Sequence, residues 1–309
     1  MPLDIIGVGY ACQDTLVRIQ RLPVWEDRVP VLESGSQGGG VVGTAMYAAA
    51  KLGSRAGMVG RAGDDQTGHA IRDDFARAGV DVSRFELHPG SASPISVVLV
   101  DAVTGARTFL VYRGNAPHLT ESDLDPAYLA QAKYVHVDGI QPSAALGAAR
   151  LARRLGVAVS VDGSDVVGEM PAAMRELVGL ADVLVCARSF AEALTGLRDE
   201  EAMCRGLLTF GPRIGVVTLA ERGSILATGG DLIRQPGYPV EVVDTTGAGD
   251  VYHGAFLHGL AAGWPLDRVQ EFACVVAALK CTRLGGRAAI PTTEEVEEAV
   301  GEATRRRQT

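Results

Sequence analysis

Apolar and polar positions change period several times along the chain, and each change marks an element. Residues 3–9 form a short apolar run that predicts a first strand. Residues 16–33 alternate apolar and polar positions, as in Leu16-Val17-Arg18-Ile19 and Val29-Pro30-Val31-Leu32-Glu33, which predicts a half-exposed hairpin. A second extended pair is expected from Ile95 to Asp101 and from Arg107 to Tyr112, turning near Thr104-Gly105. Between these pairs, Ala45, Ala48, Ala49 and Leu52 keep helical spacing. Met58-Val59-Gly60 then predicts a strand, and Ile71 to Ala78 a helix ended by Gly79, a suitable C-cap. From residue 133 the period switches regularly between strand and helix. Strands are expected at 134–137, 158–162, 183–185 and 214–218, with helices at 143–155, 171–179, 190–195 and about 200–209. Repeated strand–helix units with buried strands imply a parallel sheet covered by helices on both faces. Ligands then gather at the carboxyl ends of the strands.

Residues 243–256 carry the strongest chemical pattern. The β-branched Val242 and Val243 read as a strand end, followed by a turn through Asp244, Thr245, Thr246, Gly247, Ala248 and Gly249. A helix follows, with apolar residues at Val251, Ala255, Phe256, Leu260 and Ala261. Glycines at such a turn let backbone N–H groups converge, and the helix adds its own free N–H groups and the positive end of its dipole. That makes an anion site, usually for phosphate. Asp250, a carboxylate in the first helical turn, reads either as a helix cap or as a general base facing a phosphoryl group. Local chemistry leaves both readings open.

Composition narrows the field. A chain of 309 residues with 47% hydrophobic and 21% charged residues is ordinary for a globular α/β protein. A formal net charge of −8 argues against nucleic acid as partner, and Arg305, Arg306 and Arg307 read as a solvated helix end or tail. No apolar run would span a membrane and the N-terminus lacks a signal pattern, so a cytoplasmic location is expected. The five cysteines are widely spread without a Cys-x-x-Cys pair, so free core thiols are expected rather than disulfides or zinc. The six histidines show no metal-ligand spacing, and His253 is expected to pack or face solvent. Gly7 and Gly9 start a dinucleotide fingerprint, but Cys12 stands where its third glycine belongs. No lysine follows a glycine, which excludes a Walker-type loop. Ser34-Gly35-Ser36-Gln37-Gly38 matches a hydrolase elbow only in outline.

The stretch Asp244-Thr245-Thr246-Gly247-Ala248-Gly249-Asp250, followed by an aromatic and then Gly-Ala, resembles the C-terminal signature of the PfkB (ribokinase-like) carbohydrate kinases. The run Gly38-Gly39-Gly40-Val41-Val42-Gly43 resembles their N-terminal signature, and the resemblance extends over nearly the whole chain. It implies a ribokinase-like three-layer α/β sandwich of one domain, residues 1–309. A small β-sheet lid would be inserted at about 15–36 and 92–115, with a homodimer through the lid sheet. It implies ATP-dependent phosphorylation of a sugar hydroxyl with Mg2+. Asp250 would be the base, and Gly247, Ala248 and Gly249 the anion hole. Asp14, Gly38, Gly39, Gly43 and Arg113 would meet the sugar. Thr218, Gly223, Thr246, Gly249, Cys274 and Ala278 would line the nucleotide. Carbonyls of Asp244, Thr246, Arg283 and Gly285 would hold a monovalent cation such as K+.

Three departures stand out. Gly43 replaces an Asn that contacts sugar in many members. Ala187 and Phe190 replace an Asn-x-x-Glu pair that supports magnesium and phosphate. The segment 275–291 looks most like the ketohexokinase and sulfofructose kinase side. There the positions that would meet a sulfonate are Arg28, Val111 and Ile140, only one of them cationic, which favours a neutral sugar. The alternatives are a sulfosugar or nucleoside kinase, and a non-catalytic binding protein on the same fold.

Overall fold

The computed structural model describes residues 2–164 and 169–308. Its elements are, in order, β1 (Ile5–Val8), β2 (Cys12–Ile19), β3 (Glu33–Gly39), α1 (Val41–Lys51), β4 (Ala56–Gly63), α2 (Gln66–Arg77) and β5 (Asp81–His88). Then come β6 (Ile95–Asp101), β7 (Arg107–Tyr112), α3 (Pro126–Leu129), β8 (Tyr134–Val137), α4 (Pro142–Leu155), β9 (Ala158–Gly163) and α5 (Ala172–Leu180). They are followed by β10 (Val183–Ala187), α6 (Arg188–Thr195), α7 (Glu200–Leu207), β11 (Ile214–Thr218), β12 (Ser224–Ala227) and β13 (Leu232–Gln235). The helices α8 (Ala248–Ala261), α9 (Leu266–Lys280) and α10 (Thr293–Gln308) close the chain.

Nine strands form one sheet in the order β13-β12-β11-β10-β9-β8-β1-β4-β5, parallel except for β12 and β13. Its central strands are buried because they feed both faces. In β10, Leu184 and Cys186 pack on the α4–α7 side, while Val183 and Val185 pack against α8 and α9. The helices thus form two outer layers around the sheet, the ribokinase-like α/β arrangement. On one side α1 and α8 come very close: a Cβ on Gly254 would lie 2.3 Å from the Ala45 carbonyl oxygen. Strand order reverses between β1 and β8, since the chain steps outward from β1 to β4 and β5 on one side and from β8 through β11 on the other. A crevice belongs at that switch point, outside the carboxyl ends of β1 and β8.

A second sheet, β3-β2-β6-β7, stands over that end. The register aligns Asp14 with Gln37 and Ser96, Leu16 with Val98, and Val98 with Phe109. One face therefore carries Asp14, Leu16, Ser96 and Val98, all buried. Leu16, Val98 and Val100 form a small core against Leu284 of the main body. The opposite face leaves Ile95, Leu110 and Tyr112 exposed.

Several sequence expectations shift. The first lid hairpin pairs 12–19 with 33–39, and Val29 to Leu32 lie in the irregular connection. Pro30 lacks the N–H a strand needs, so the alternation there is not paired. Gly38 and Gly39 end β3 instead of opening a helix, and α1 begins after Gly40, whose φ of 89° suits glycine. Asp14 lies within β2. Val242 and Val243 are not a strand; they belong to the irregular segment between β13 and α8. Strands β5, β12 and β13 were not anticipated. Ser36 of the elbow-like pentapeptide lies in β3, its hydroxyl accepting from Gln13 Nε2 at 2.9 Å, so no strand-to-helix elbow exists there. No helix among the described residues is long and apolar enough to cross a membrane. The five cysteines are free and buried. The backbone of Arg305, Arg306 and Arg307 belongs to α10, and their side chains lie outside the described residues.

Candidate active site

The crevice is bounded by the end of β1, the start of α1, the lid face and the loop before α8. Gly247 takes φ 71° as the residue preceding α8, and the Ala248 N–H that begins the helix donates back to the Thr245 carbonyl at 3.2 Å. Nothing lies within 4 Å of the place a Cβ on Gly249 would take, so this end of α8 is open. Asp250 sits in that first turn, half-buried. Its carboxyl is pushed well above the usual carboxylate range, first by burial and then by the Asp162 charge, while the Arg107 guanidinium opposes the rise. Asp14 and Asp138 add smaller repulsions, so four carboxylates share this region.

Each of the other three is held differently. Asp14 accepts a bond from the Cys12 thiol at 3.2 Å, and burial raises it. Gly39 makes room for it: a Cβ there would lie 2.1 Å from Asp14 Oδ2. Asp138 follows β8, accepts from the Ile140 N–H at 2.9 Å, and is pushed up to about 7 by burial. Asp162 ends β9 and pairs with His253 Nε2 at 3.1 Å and with the Ser164 hydroxyl. His136 lies alongside, its ring 5.3 Å from that of His253, and burial lowers both histidines to about 3. His136, Asp162 and His253 are grouped closely enough to grip a metal ion, but the Asp162 carboxylate is already committed to His253 and Ser164. His253 is therefore a buried hydrogen-bonding residue and does not face solvent.

The loop before α8 is tied down from two sides. Asp244 is wholly buried; its Oδ1 accepts from the Thr246 N–H at 2.8 Å and hydroxyl at 2.6 Å, and its Oδ2 from the Gly285 N–H at 2.7 Å. From the lid, Arg107 donates to Thr245 Oγ1 at 2.9 Å, and the Gly105 carbonyl accepts from the Thr245 hydroxyl at 3.1 Å. Lys280, the last residue of α9, donates to the Asp244 carbonyl at 2.7 Å. An ammonium thus occupies the Asp244 carbonyl that the sequence reading assigned to a monovalent cation, while the Gly285 N–H takes its carboxylate. Arg283, also assigned there, follows the end of α9.

Arg287 is a residue that the sequence analysis did not single out. Its guanidinium is almost fully buried, bonding Asp74 at 2.7 Å and the Gly39 carbonyl at 3.0 Å. It lies 4.9 Å from the ring centres of both Tyr47 and Phe75. A Cβ on Gly38 would lie 2.2 Å from its Nη1 and one on Gly43 3.1 Å from its Nη2. These glycines therefore make space for Arg287, and a larger residue at 43 would meet Phe75 as well. The glycine run followed by an arginine some 250 positions on offers no local signal of that contact.

The remaining expected contacts fall in two places. Arg113 is exposed on the loop after β7 and lines a small cavity with Tyr10, Ile140 and Gln141. The Tyr10 hydroxyl is buried there without a partner, and its pKa is raised by burial. Val111 and Arg28 are exposed, Val111 on the edge strand β7 and Arg28 in the connection between β2 and β3. Thr218 ends β11, opposite Ser224 in the register, with its hydroxyl on the Cys186 carbonyl. Gly223, at φ 90°, shapes the turn between β11 and β12; a Cβ there would meet the Gln235 carbonyl oxygen at 2.1 Å. Cys274 is turned inward, its thiol 3.4 Å from Ser224 Oγ, and the half-buried Ala278 follows one helical turn later. Ala187 and Phe190 offer no side-chain donor, and Phe190 is fully buried.

Known proteins agree with this geometry. The family model described as pfkB family carbohydrate kinase matches residues 14–293. An ATP-dependent ribose-1-phosphate kinase of Halopiger xanaduensis is 29% identical over 300 residues, covering 96% of this chain and 98% of its own. A nucleoside kinase of Methanothermobacter thermautotrophicus is 25% identical, with 94% of each chain covered. A crystal structure from Agrobacterium tumefaciens, provisionally named a ribokinase, superimposes with a TM-score of 0.90 at 32% identity over 99% of both chains. The chain belongs to the pfkB family of carbohydrate kinases and is a phosphotransferase of that family.

Proposed function

We propose that this kinase transfers the γ-phosphoryl group of Mg–ATP to a hydroxyl of a neutral sugar. The observation that carries the reading is the pairing of a base with an anion site: Asp250 stands in the first turn of α8, beside the helix N-terminus whose face at Gly249 is open. Asp250 takes the proton of the attacking hydroxyl, and the 247–249 backbone stabilises charge on the transferring group. Asp14, seated under Gly39, orients sugar hydroxyls as an acceptor. Thr218, Gly223 and Ala278 border the nucleotide, with Cys274 packed behind them. Ala187 and Phe190 offer no side-chain ligand to magnesium, which would supply neutralisation of phosphate charge when bound with the nucleotide. The lid face covers the sugar and excludes water as a competing acceptor. Use of ATP suits a cytoplasmic enzyme.

Four carboxylates around the crevice support a neutral acceptor, because an anionic sugar would add to their repulsion. A second reading, a phosphorylated sugar or a nucleoside, is favoured by the printed activities of the two relatives and by Arg113 at the cavity beside Tyr10. The test is ADP release from Mg–ATP across pentoses, hexoses, ketohexoses, sulfofructose, ribose 1-phosphate and nucleosides, with Asp250→Asn as the control. We expect a neutral sugar to give turnover that the control lowers by roughly 10²–10⁴-fold while ATP still binds. Near-normal turnover in the control removes Asp250 from the mechanism. ATP binding with no acceptor turned over would favour the binding-only alternative.

A further inference from the structure

Lys280 is an unusual residue for its place. A lysine ending a helix ordinarily reaches into solvent, where it complements the dipole. Here the last residue of α9 is wholly buried, and its ammonium donates to a main-chain carbonyl, that of Asp244, at 2.7 Å. Among the described residues it is not ion-paired. Burial lowers its pKa, yet the Asp244 and Asp250 carboxylates both favour its charged form. A buried cation is costly unless opposite charge compensates it. The compensation available is the Asp244–Asp250 segment itself, and any phosphate bound at its glycines.

The surrounding bonds show what the cation holds. The Asp244 carboxylate fixes Thr246 and Gly285, and the Cys281 carbonyl accepts from the N–H groups of Val243 at 2.8 Å and Asp244 at 3.2 Å. The end of α9 and the loop leading to Gly247 are therefore one bonded unit with a positive charge inside it.

We propose that the Lys280 ammonium is a tethered cation beneath the phosphate loop, positioning it for ATP and replacing any free monovalent ion, so that the enzyme needs no potassium. The inference rests on the reading of residues 244–250 as the phosphate site. It predicts that ATP affinity, measured by calorimetry, and turnover of the acceptor found above are unchanged when potassium is replaced by tetramethylammonium. Lys280→Ala opens a site of ammonium size. It should lower kcat/KM for ATP by on the order of 10²-fold, as expected for losing one fixed charge at a reacting phosphate, and added potassium or ammonium ions should restore much of it. Lys280→Met fills the space without charge and should resist rescue.

A wild-type enzyme that loses ATP affinity without potassium overturns the proposal. So does a folded Lys280→Ala protein indifferent to both potassium and ammonium, or a fully active Lys280→Met. Where the alanine variant fails to fold, the wild-type cation exchange decides alone. A wild-type protein that binds no ATP in either salt would instead mark failure of the phosphate-site reading.

Discussion

Asp138 shows how a single buried carboxyl leaves a trace in bulk behaviour. Its folded pKa, about 7, lies above the value near 3.8 expected of a free side chain. Its contribution to stability is therefore fully present below pH 3.8 and is lost as pH rises through 7. Asp138→Asn keeps an acceptor for the Ile140 N–H and should remove that loss; thermal unfolding of the two proteins from pH 4 to 8 checks it. The two histidines act in the opposite sense. With folded values near 3, against about 6.5 when free, they support the fold above pH 6.5 and lose that support as pH falls toward 3. Arg287 is also a residue-scale matter. Arg287→Met should cost roughly 1–3 kcal/mol, since the Gly39 carbonyl and Asp74 lose a charged donor, and should raise KM for the sugar by loosening Gly38 and Gly39. Denaturant unfolding and initial-rate kinetics measure the two effects.

At the scale of elements, the lid is more than a cover. The turn between β6 and β7 touches Thr245 through Gly105 and Arg107, and Arg107 also counters the charge on Asp250. Removing that guanidinium leaves burial and Asp162 unopposed. Arg107→Ala should therefore shift the acid limb of the pH–kcat/KM profile to higher pH, because the base is protonated over a wider range; a lowered or unchanged limb contradicts this. Much of the element structure was readable from periodicity. Strands β6, β7, β8 and β11 fall where alternation or apolar runs placed them, and Gly79 caps α2 as its position suggested. What escaped was set by distant partners. β5 shows little apolar pattern because one side is exposed, and β12 and β13 are antiparallel additions too short to carry a period. The glycines at 38, 39 and 43 looked like ligand contacts, yet the space beside them belongs to Asp14 and Arg287.

For the whole molecule, the outer face of the lid is the surface to explain. Ile95, Leu110 and Tyr112 share it on β6 and β7, and β7 is an unpaired edge. Exposed apolar edges of this kind are commonly covered by another chain. We propose that a second copy covers it. Leu110→Glu should then halve the mass seen by sedimentation equilibrium without unfolding the monomer, whereas an unchanged mass removes this face as the contact.

The bond between the lid turn and Thr245 has a thermodynamic meaning as well. On the proposed reading one substrate binds under the small sheet and the other at the loop that Thr245 belongs to, so each binding event would bias the same contact. Coupling of that kind is reciprocal: whatever factor a bound sugar adds to the affinity for nucleotide, the nucleotide must return to the sugar. An enzyme wired this way discriminates against either substrate arriving alone, and the two binding isotherms, each measured with and without the other ligand, must show one and the same ratio.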